Sequence, residues 1–526
     1  MIRGPSAARL VSTRGYLVAA LLVLAVVIGG VAVAESEVGA AATDGDADRV
    51  VEPPAYDPEP PTEPGTATLI RDGERVEYDD PSIAVDAAEP GDVVELSGVF
   101  EPEEAVVVDV PDVRVRAAEP HGALIDGGGE GTVLAVEASN VTVEDVWIAE
   151  SGNDLESEDA GVFVGENADE TTLANLYLTD VAFGVWVNGA DEVAVRDSRI
   201  EGADAPRFAD RGNGIHLWET TGTTIRDTEI TRTRDGIYYS WAEDVEATGN
   251  TMWDLRYGVH YMYSDDNRLA DNVAFENDVG YALMVSEGIE VVNNTAVANR
   301  GGSGHGILLK EIDDTVVRGN HLVANDRGIF LYNAQDNAVT DNLVYANGVG
   351  VHHSAGTEGT VVSGNDFVDN DEQVLTTTRE LVSWNDTERG NYWSDAQVAD
   401  TDGDGLSDTR HRPAGAAERL VQEHPTVAVF ADSPAFDAIR LVESRFPLVE
   451  TAGIVDEKPL TDPTHDIEPY RTYATAVDPT VEYDDDPGDD HHAGGNDHAG
   501  DDGHAGDDDH AGDDGHAGDD HEDDHH

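Results

Sequence analysis

The chain repeats one short pattern seven times: GIHLW at 214–218, GIYYS at 236–240, GVHYM at 258–262, GYALM at 280–284, GILLK at 306–310, GIFLY at 328–332 and GVHHS at 350–354. Successive glycines are 22 residues apart, with one step of 26 between Gly280 and Gly306. A fixed period of roughly this length is typical of stacked repeat proteins. One such unit cannot bury its own apolar face, so neighbouring copies must stack to form a core.

A second column of the repeat consists of asparagines that follow the same period. They stand at Asn250, Asn272, Asn294, Asn320, Asn342 and Asn365. Short runs of Val, Ile, Thr and Tyr lie between Gly, Asn and Asp, which is typical of short strands joined by tight turns. The sequence therefore predicts an all-β fold, a right-handed parallel β-helix (solenoid) with coils of about 22 residues. The asparagines are expected to stack at a corner of the coils.

Alternation along each strand assigns the side chains to two faces. Residues one and three positions after the first six glycines are all apolar and are predicted to point inward. The residues between them are predicted to form an outer stripe with almost no carboxylate. This stripe consists of His216, Trp218, Tyr238, Ser240, His260, Met262, Ala282, Met284, Leu308, Lys310, Phe330, Tyr332 and His352.

The outer stripe contains the candidate ligands for copper. His260 and Met262 share one face, Met284 is expected one coil away from Met262, and His216 two coils away from His260. Thioether and imidazole together suit Cu(I) and discriminate against Ca²⁺ and Mg²⁺. The alternative is an apolar patch that docks another protein, for which Met and Tyr are also enriched, and residue type alone favours docking. The two interpretations are compatible, because metal passed between proteins must cross an interface.

Five segments are predicted along the chain. Residues 1–35 carry three arginines and an apolar run, which indicates an export signal peptide or an uncleaved signal anchor. Residues 36–65 form an acidic, proline-rich linker, 66–380 the β-helix, and 381–480 a C-terminal cap with a small helical region at 416–424 and 433–446. A short helix at 81–88 is expected to cap the N-terminal end of the core. The body is predicted to be exported, to the outer face of the cytoplasmic membrane or a periplasm-like or extracellular space.

The cap contains a calcium-type loop in which carboxylates alternate with other residues. Asp400, Asp402, Asp404 and Asp408 occupy loop positions 1, 3, 5 and 9, and Gly405 occupies position 6. His411 replaces the glutamate usual at position 12. We therefore expect a structural calcium site of modest affinity.

Residues 481–526 form an acidic tail that is expected to be disordered. Imidazoles at this density can capture copper, nickel or zinc. The tail histidines are His491, His492, His498, His504, His510, His516, His521, His525 and His526.

The overall charge excludes nucleic-acid binding. The chain has 526 residues with 109 Asp+Glu, 30 Lys+Arg, no cysteine and a formal net charge of −79. Such a surface repels phosphates and itself, which indicates adaptation to high salt. No catalytic residues are identified, and the chain is predicted not to be an enzyme. A surface polysaccharide-binding or -cleaving β-helix remains the alternative, and it would require an outward groove with aromatics and paired carboxylates.

Several motifs resemble the NosD family, the exported β-helix proteins of nitrous-oxide reductase maturation. The resemblance rests on residues 258–265, 280–286 and 306–314, on Gly390-Asn391-Tyr392-Trp393-Ser394-Asp395, and on the 400–408 loop. It implies an ABC transporter partner with an ATPase and a permease, and association with the membrane through the anchor or the permease. It also implies nitrous-oxide reductase and a copper chaperone as partners in assembling the reductase's copper centres. It supplies no copper ligands.

Overall fold

A computed structural model describes residues 51–415 and 452–475, together with a few positions between 416 and 451. The predicted signal segment, the first part of the linker, most of the two predicted helices at 416–424 and 433–446, and all nine tail histidines lie outside the described residues. The predicted segment boundaries therefore remain predictions. Among the described residues, no helix has both the length and the hydropathy needed to cross a bilayer.

The described chain is a parallel β-solenoid, which confirms the predicted fold class. Each coil contributes one strand to each of three ladders. The ladder that carries the glycine pattern has twelve strands, and we call it the front sheet. Its strands are Val106–Val108, Leu134–Val136, Ala160–Val164, Phe183–Asn188, Ile215–Trp218, Asp235–Ser240, Tyr257–Met262, Val279–Glu287, His305–Asp313, Arg327–Tyr332, Val349–His353 and Glu372–Thr376.

The second sheet follows the front sheet within each coil. It begins with an antiparallel arrangement of Glu74–Tyr78, Thr66–Arg71 and Val93–Phe100 and continues in parallel. Its other strands are Arg114–Ala117, Thr142–Glu144, Thr172–Ala174, Ala194–Arg196, Thr224–Arg226, Glu246–Thr248, Arg268–Ala270, Glu290–Val292, Val316–Arg318, Ala338–Thr340 and Val361–Ser363.

The third sheet completes each coil and also starts from the long strand Val93–Phe100. Its other strands are Ala123–Asp126, Trp147–Ala149, Tyr177–Val181, Arg199–Gly202, Glu229–Thr231, Thr251–Trp253, Val273–Phe275, Thr295–Val297, His321–Val323, Leu343–Tyr345, Asp366–Val368 and Tyr392–Trp393.

Few elements lie outside these sheets. A helix at Pro81–Asp86, capped by the Asp80 side chain at Ser82 N, packs Ala84 and Val85 into the core, as the sequence predicts. A small sheet contains Leu381–Ser383, His411–Ala414 and Gly453–Asp456. Two 3-10 turns at Phe208–Asp210 and Glu468–Tyr470 and a short helix at Arg471–Thr475 complete the described elements.

The core is a set of stacked side-chain columns, and alternation assigned them correctly. The inward residues that follow the first six glycines are all fully buried, as are the residues two positions after each asparagine of the column. The asparagines hydrogen-bond along the stack; Asn272 Nδ2, for example, donates to Asn294 Oδ1 at 2.9 Å and to the Ala247 carbonyl at 2.9 Å. These bonds satisfy polar groups that would otherwise be buried without partners.

Candidate functional site

Aromatic and imidazole rings form a continuous column on the outer side of the front sheet. The strand register places Trp186, His216, Tyr238 and His260 opposite one another on successive coils. Their ring centroids are separated by 3.8, 4.7 and 4.9 Å in that order. The Tyr238 ring therefore lies between the two histidines, and His216 does not join His260 in one ligand set.

The two predicted thioethers lie beside this column. Met262 and Met284 are opposite each other on neighbouring strands, and both are partly exposed. His260 precedes Met262 by two residues, on the same face of the same strand. An imidazole and two thioethers are therefore carried by two adjacent strands of the front sheet.

A buried carboxylate fixes the His260 ring. His260 Nδ1 is 2.9 Å from Asp235 Oδ2. Arg256 donates two hydrogen bonds to the same carboxylate, from Nε at 2.9 Å and from an Nη atom at 2.6 Å. Asp235 is 1% exposed and His260 is 8% exposed. Arg256 also lies over the Tyr257 ring, with its guanidinium carbon 4.3 Å from the ring centroid.

The protonation states of this pair follow from their surroundings. Burial by itself would raise the pKa of the Asp235 carboxyl, but the charge of Arg256 and the hydrogen bond from His260 outweigh it and hold that pKa below its usual range. Burial lowers the pKa of His260, and the bond to Asp235 offsets this only in part. Asp235 is thus ionised and His260 neutral at neutral pH.

The ring nitrogen of His260 that has a lone pair for a metal ion is Nε2. An ionised carboxylate only accepts hydrogen bonds, so Nδ1 of the neutral ring carries the proton and Nε2 carries the lone pair. Nε2 is buried and has no hydrogen-bond partner among the described residues. A carboxylate behind one ring nitrogen and a lone pair on the other is the usual arrangement of a metal-ligating histidine.

His216 is arranged differently. The side-chain amide nitrogen of Asn213 lies 3.2 Å from His216 Nδ1 and donates to it, which puts the proton of the neutral ring on Nε2. Burial lowers the pKa of His216 to about 3, so the ring stays neutral. His216 therefore packs as part of the ring column and offers no lone pair at Nε2.

Asp235, Arg256 and Asn213 are not among the residues predicted from the sequence. Strict alternation from Gly236 places Asp235 inward, whereas the structure places it outward beside His260. Arg256 stands directly before an outward aromatic residue, and its partner is 21 residues earlier in the chain. A repeat alignment that compared the residues just before each glycine could have paired the two charges.

The predicted calcium loop brings three of its four aspartates together. The carboxylates of Asp400, Asp402 and Asp404 have oxygens within 4.8 Å of one another, and all three residues are exposed. Asp408 instead accepts hydrogen bonds from Thr401 N at 2.9 Å and Thr401 Oγ1 at 2.6 Å. Bonds from Gly403 and Gly405 backbone N–H groups lower the pKa of Asp400. Calcium binding by this loop remains a prediction.

Within the described part of the chain, the ring column does not show the paired carboxylates of a glycosidase. Among the described residues that touch its histidines, the carboxylate is Asp235, and it is already bound to Arg256 and His260. Hydrolysis of a glycosidic bond usually requires two carboxylates that flank the bond.

Comparisons with known proteins identify the family. The profile of a family described as "Periplasmic copper-binding protein (NosD)" matches residues 196–398, which include the ring column from His216 and the methionine pair. A Pseudomonas aeruginosa protein named "Probable ABC transporter binding protein NosD" is 35% identical over 353 residues, covering 64% of this chain and 82% of the relative. A protein of the same name from Stutzerimonas stutzeri is 34% identical over 354 residues, covering 64% and 80%.

The surface adhesin PfbA of Streptococcus pneumoniae aligns with a TM-score of 0.43 and 11% identity, over 53% of this chain and 82% of that chain. On the identity and coverage of the two sequence relatives, this chain belongs to the NosD family.

Proposed function

We propose that this protein is an exported, non-enzymatic accessory factor that handles copper on its front sheet, in partnership with an ABC transporter, for assembly of the copper centres of nitrous-oxide reductase. The family description names periplasmic copper binding, and the relatives are named as transporter-binding proteins. The reductase and a copper chaperone are the further partners that the family resemblance implies.

One observation carries the copper part of the proposal: Met262 lies opposite Met284, and His260 stands two residues before Met262 on the same face. The chain has only four methionines, of which Met252 is fully buried in the core. Two thioethers and a neutral imidazole with a free Nε2 are donors that suit Cu(I). When bound, the ion would be held by these three side chains in a form that a partner protein can take over.

A double variant with two near-isosteric substitutions tests the site. The full chain carrying Met262→Leu and Met284→Leu keeps the apolar shape of the patch but loses both thioether sulfurs. Cu(I) affinity, measured by competition with a chromogenic chelator, should fall by about tenfold or more. Met252→Leu is the matched control, because it removes a buried thioether and should leave the affinity unchanged. The tail is present in all variants, so differences report on the front sheet.

The same variants separate copper binding from simple docking. If the patch serves only to dock a protein, the leucine pair will bind Cu(I) as the parent chain does, which would contradict the copper site. A Met284→Asp variant, which places a charge in the patch, would then be expected to weaken transporter binding alone. Saccharide binding to the parent chain that is independent of copper would instead favour the polysaccharide alternative.

A further inference from the structure

The front sheet contains two histidines of the same column whose rings are held in opposite tautomers. Asp235 accepts from Nδ1 of His260 at 2.9 Å, whereas the Asn213 amide donates to Nδ1 of His216 at 3.2 Å. Both rings are buried, at 8% exposure each, and both leave Nε2 without a hydrogen-bond partner among the described residues. The residue behind Nδ1 therefore decides which ring has a lone pair to offer.

We infer that Asp235, clamped by Arg256, is a positioning residue that holds the His260 ring with its Nε2 lone pair free for a soft metal ion. This inference rests on the proposed copper site and adds to it the identity of the ligating atom and the residue that selects it. The role follows from hydrogen-bond chemistry, since an ionised carboxylate cannot donate and so forces the proton onto Nδ1. Partners behind a metal-bound histidine typically change metal affinity by about 10- to 100-fold when they are removed.

Arg256 makes this arrangement rigid. Its guanidinium binds both oxygens of Asp235, through Nε to Oδ1 at 2.9 Å and through an Nη atom to Oδ2 at 2.6 Å. Two parallel bonds fix the plane of the carboxylate and, with it, the direction in which Oδ2 meets the imidazole. The same Arg256 nitrogen lies 3.5 Å from His260 Nδ1, much farther than the carboxylate oxygen. The carboxylate is therefore the partner that sets the tautomer.

The asparagine beneath His216 suggests the decisive substitution. Asp235→Asn replaces the acceptor with an amide that can donate to Nδ1, as Asn213 does to His216. In the full chain with ¹⁵N-labelled histidine, the ring nitrogens of His260 are assigned by their loss in His260→Gln. The parent chain should show the proton on Nδ1, and D235N should show it on Nε2. Cu(I) affinity should fall by about 10- to 100-fold in D235N.

D235N leaves the partly buried Arg256 charge without its carboxylate and could therefore fail to fold. Two further variants keep the test decisive in that case. D235N/R256Q removes the charge together with the carboxylate and should show the same tautomer and affinity change. Asp235→Glu keeps a carboxylate and should retain the proton on Nδ1.

Each outcome has a distinct meaning. An Nδ1-protonated His260 in D235N, or an affinity within twofold of the parent chain while H260Q is weakened, would overturn the role of Asp235. If H260Q and the methionine variants also bind Cu(I) like the parent chain, the proposed copper site fails instead. The tautomer measurement is made without copper, so it tests the positioning role in either case.

Discussion

The glycine at the start of each front-sheet pattern changes which side chains face outward. Asp235 is opposite Tyr257 and Ile237 is opposite Val259, so the register passes over Gly236. A Cβ built on Gly236 would lie 2.4 Å from the Gly258 carbonyl oxygen and about 3 Å from core side chains. Gly236 and Ile237 therefore both face inward, and the strict alternation of the strand is interrupted at the glycine. This interruption places Asp235 outward, beside His260.

Substitution of one of these glycines should destabilise the solenoid. In Gly258→Ala, the new Cβ would lie 2.6 Å from the Gly280 carbonyl oxygen and 3.0 Å from the Ala274 Cβ. Backbone cannot move aside as a flexible side chain can, so the free energy of unfolding should fall by about 1–3 kcal/mol. A denaturant titration of the full chain measures this.

Gly302 provides the matched control for that prediction. It is exposed in the 26-residue step, and nothing lies within 4 Å of a Cβ built on it. Gly302→Ala should change the free energy of unfolding by no more than about 0.5 kcal/mol. Equal effects of the two substitutions would mean that the glycine column is not needed for close packing between coils.

At the scale of strands and turns, the repeat made most of the fold predictable. The repeat glycines and the repeat asparagines both shift at the one 26-residue step, so together they fix the register between coils. That register places Met262 opposite Met284. A further asparagine ladder was missed, although it follows the first by five residues in most coils. Its members Asn277, Asn299, Asn325, Asn347 and Asn370 carry the same hydrogen bonds from coil to coil.

The part of the site that could not be predicted depends on local backbone geometry. Alternation assumes that successive side chains point to opposite faces, and the two consecutive inward residues Gly236 and Ile237 break that assumption. Asn213 and Asp235 stand at the same repeat position, directly before Gly214 and Gly236. Asn213 contacts the histidine of its own coil, whereas Asp235 contacts that of the next coil, and the repeat period does not predict this difference. The sequence therefore identified the candidate donors but not the groups that orient them.

A C-terminal segment is bound to the third sheet through one buried aspartate. Asp366 Oδ2 accepts hydrogen bonds from Thr464 N at 2.7 Å, His465 N at 2.6 Å and His465 Nδ1 at 2.7 Å. The His465 Nε2 nitrogen also lies 3.1 Å from the Asp341 carbonyl oxygen. The hydrogen bond with Asp366, above all, raises the pKa of His465 despite its partial burial.

This contact predicts that the segment is held more tightly in mild acid. Because the folded pKa of His465 is above its unfolded value of 6.5, the added stability is complete below pH 6.5 and is lost as pH rises through the folded pKa. Hydrogen exchange of amides 464–473, corrected for intrinsic rates, should be slower at pH 6 than at pH 8. His465→Gln should remove the difference, while the core amides of Ile307 and Leu309 should not respond in either chain.

At the scale of the whole molecule, the first and last described segments of the chain both pack against the third sheet of the solenoid. Arg199 donates to the Pro54 carbonyl at 3.0 Å, and Val51 and Tyr473 hydrogen-bond to each other. Val51 and Tyr473 also pack against the aromatic residues of the third sheet. On the front-sheet side, Trp241 and Tyr263 stack in the turns at 53% and 45% exposure. On the same sheet Met262 and Met284 are partly exposed, whereas the His260 ring is buried.

The high negative charge of the molecule predicts that its thermal stability depends on salt concentration. A net charge of −79 on one chain is strongly self-repulsive, and added salt shortens the range of repulsion from about 10 Å at 0.1 M to about 3 Å at 1 M. The thermal unfolding midpoint of the full chain should therefore rise steeply as KCl is raised from 0.1 to 1 M. Deleting residues 484–526 removes 18 acidic residues and leaves a net charge of −61, so the rise should persist in that variant. A midpoint that is independent of KCl, or a rise that disappears with the tail, would show that the acidity of the solenoid does not govern its stability.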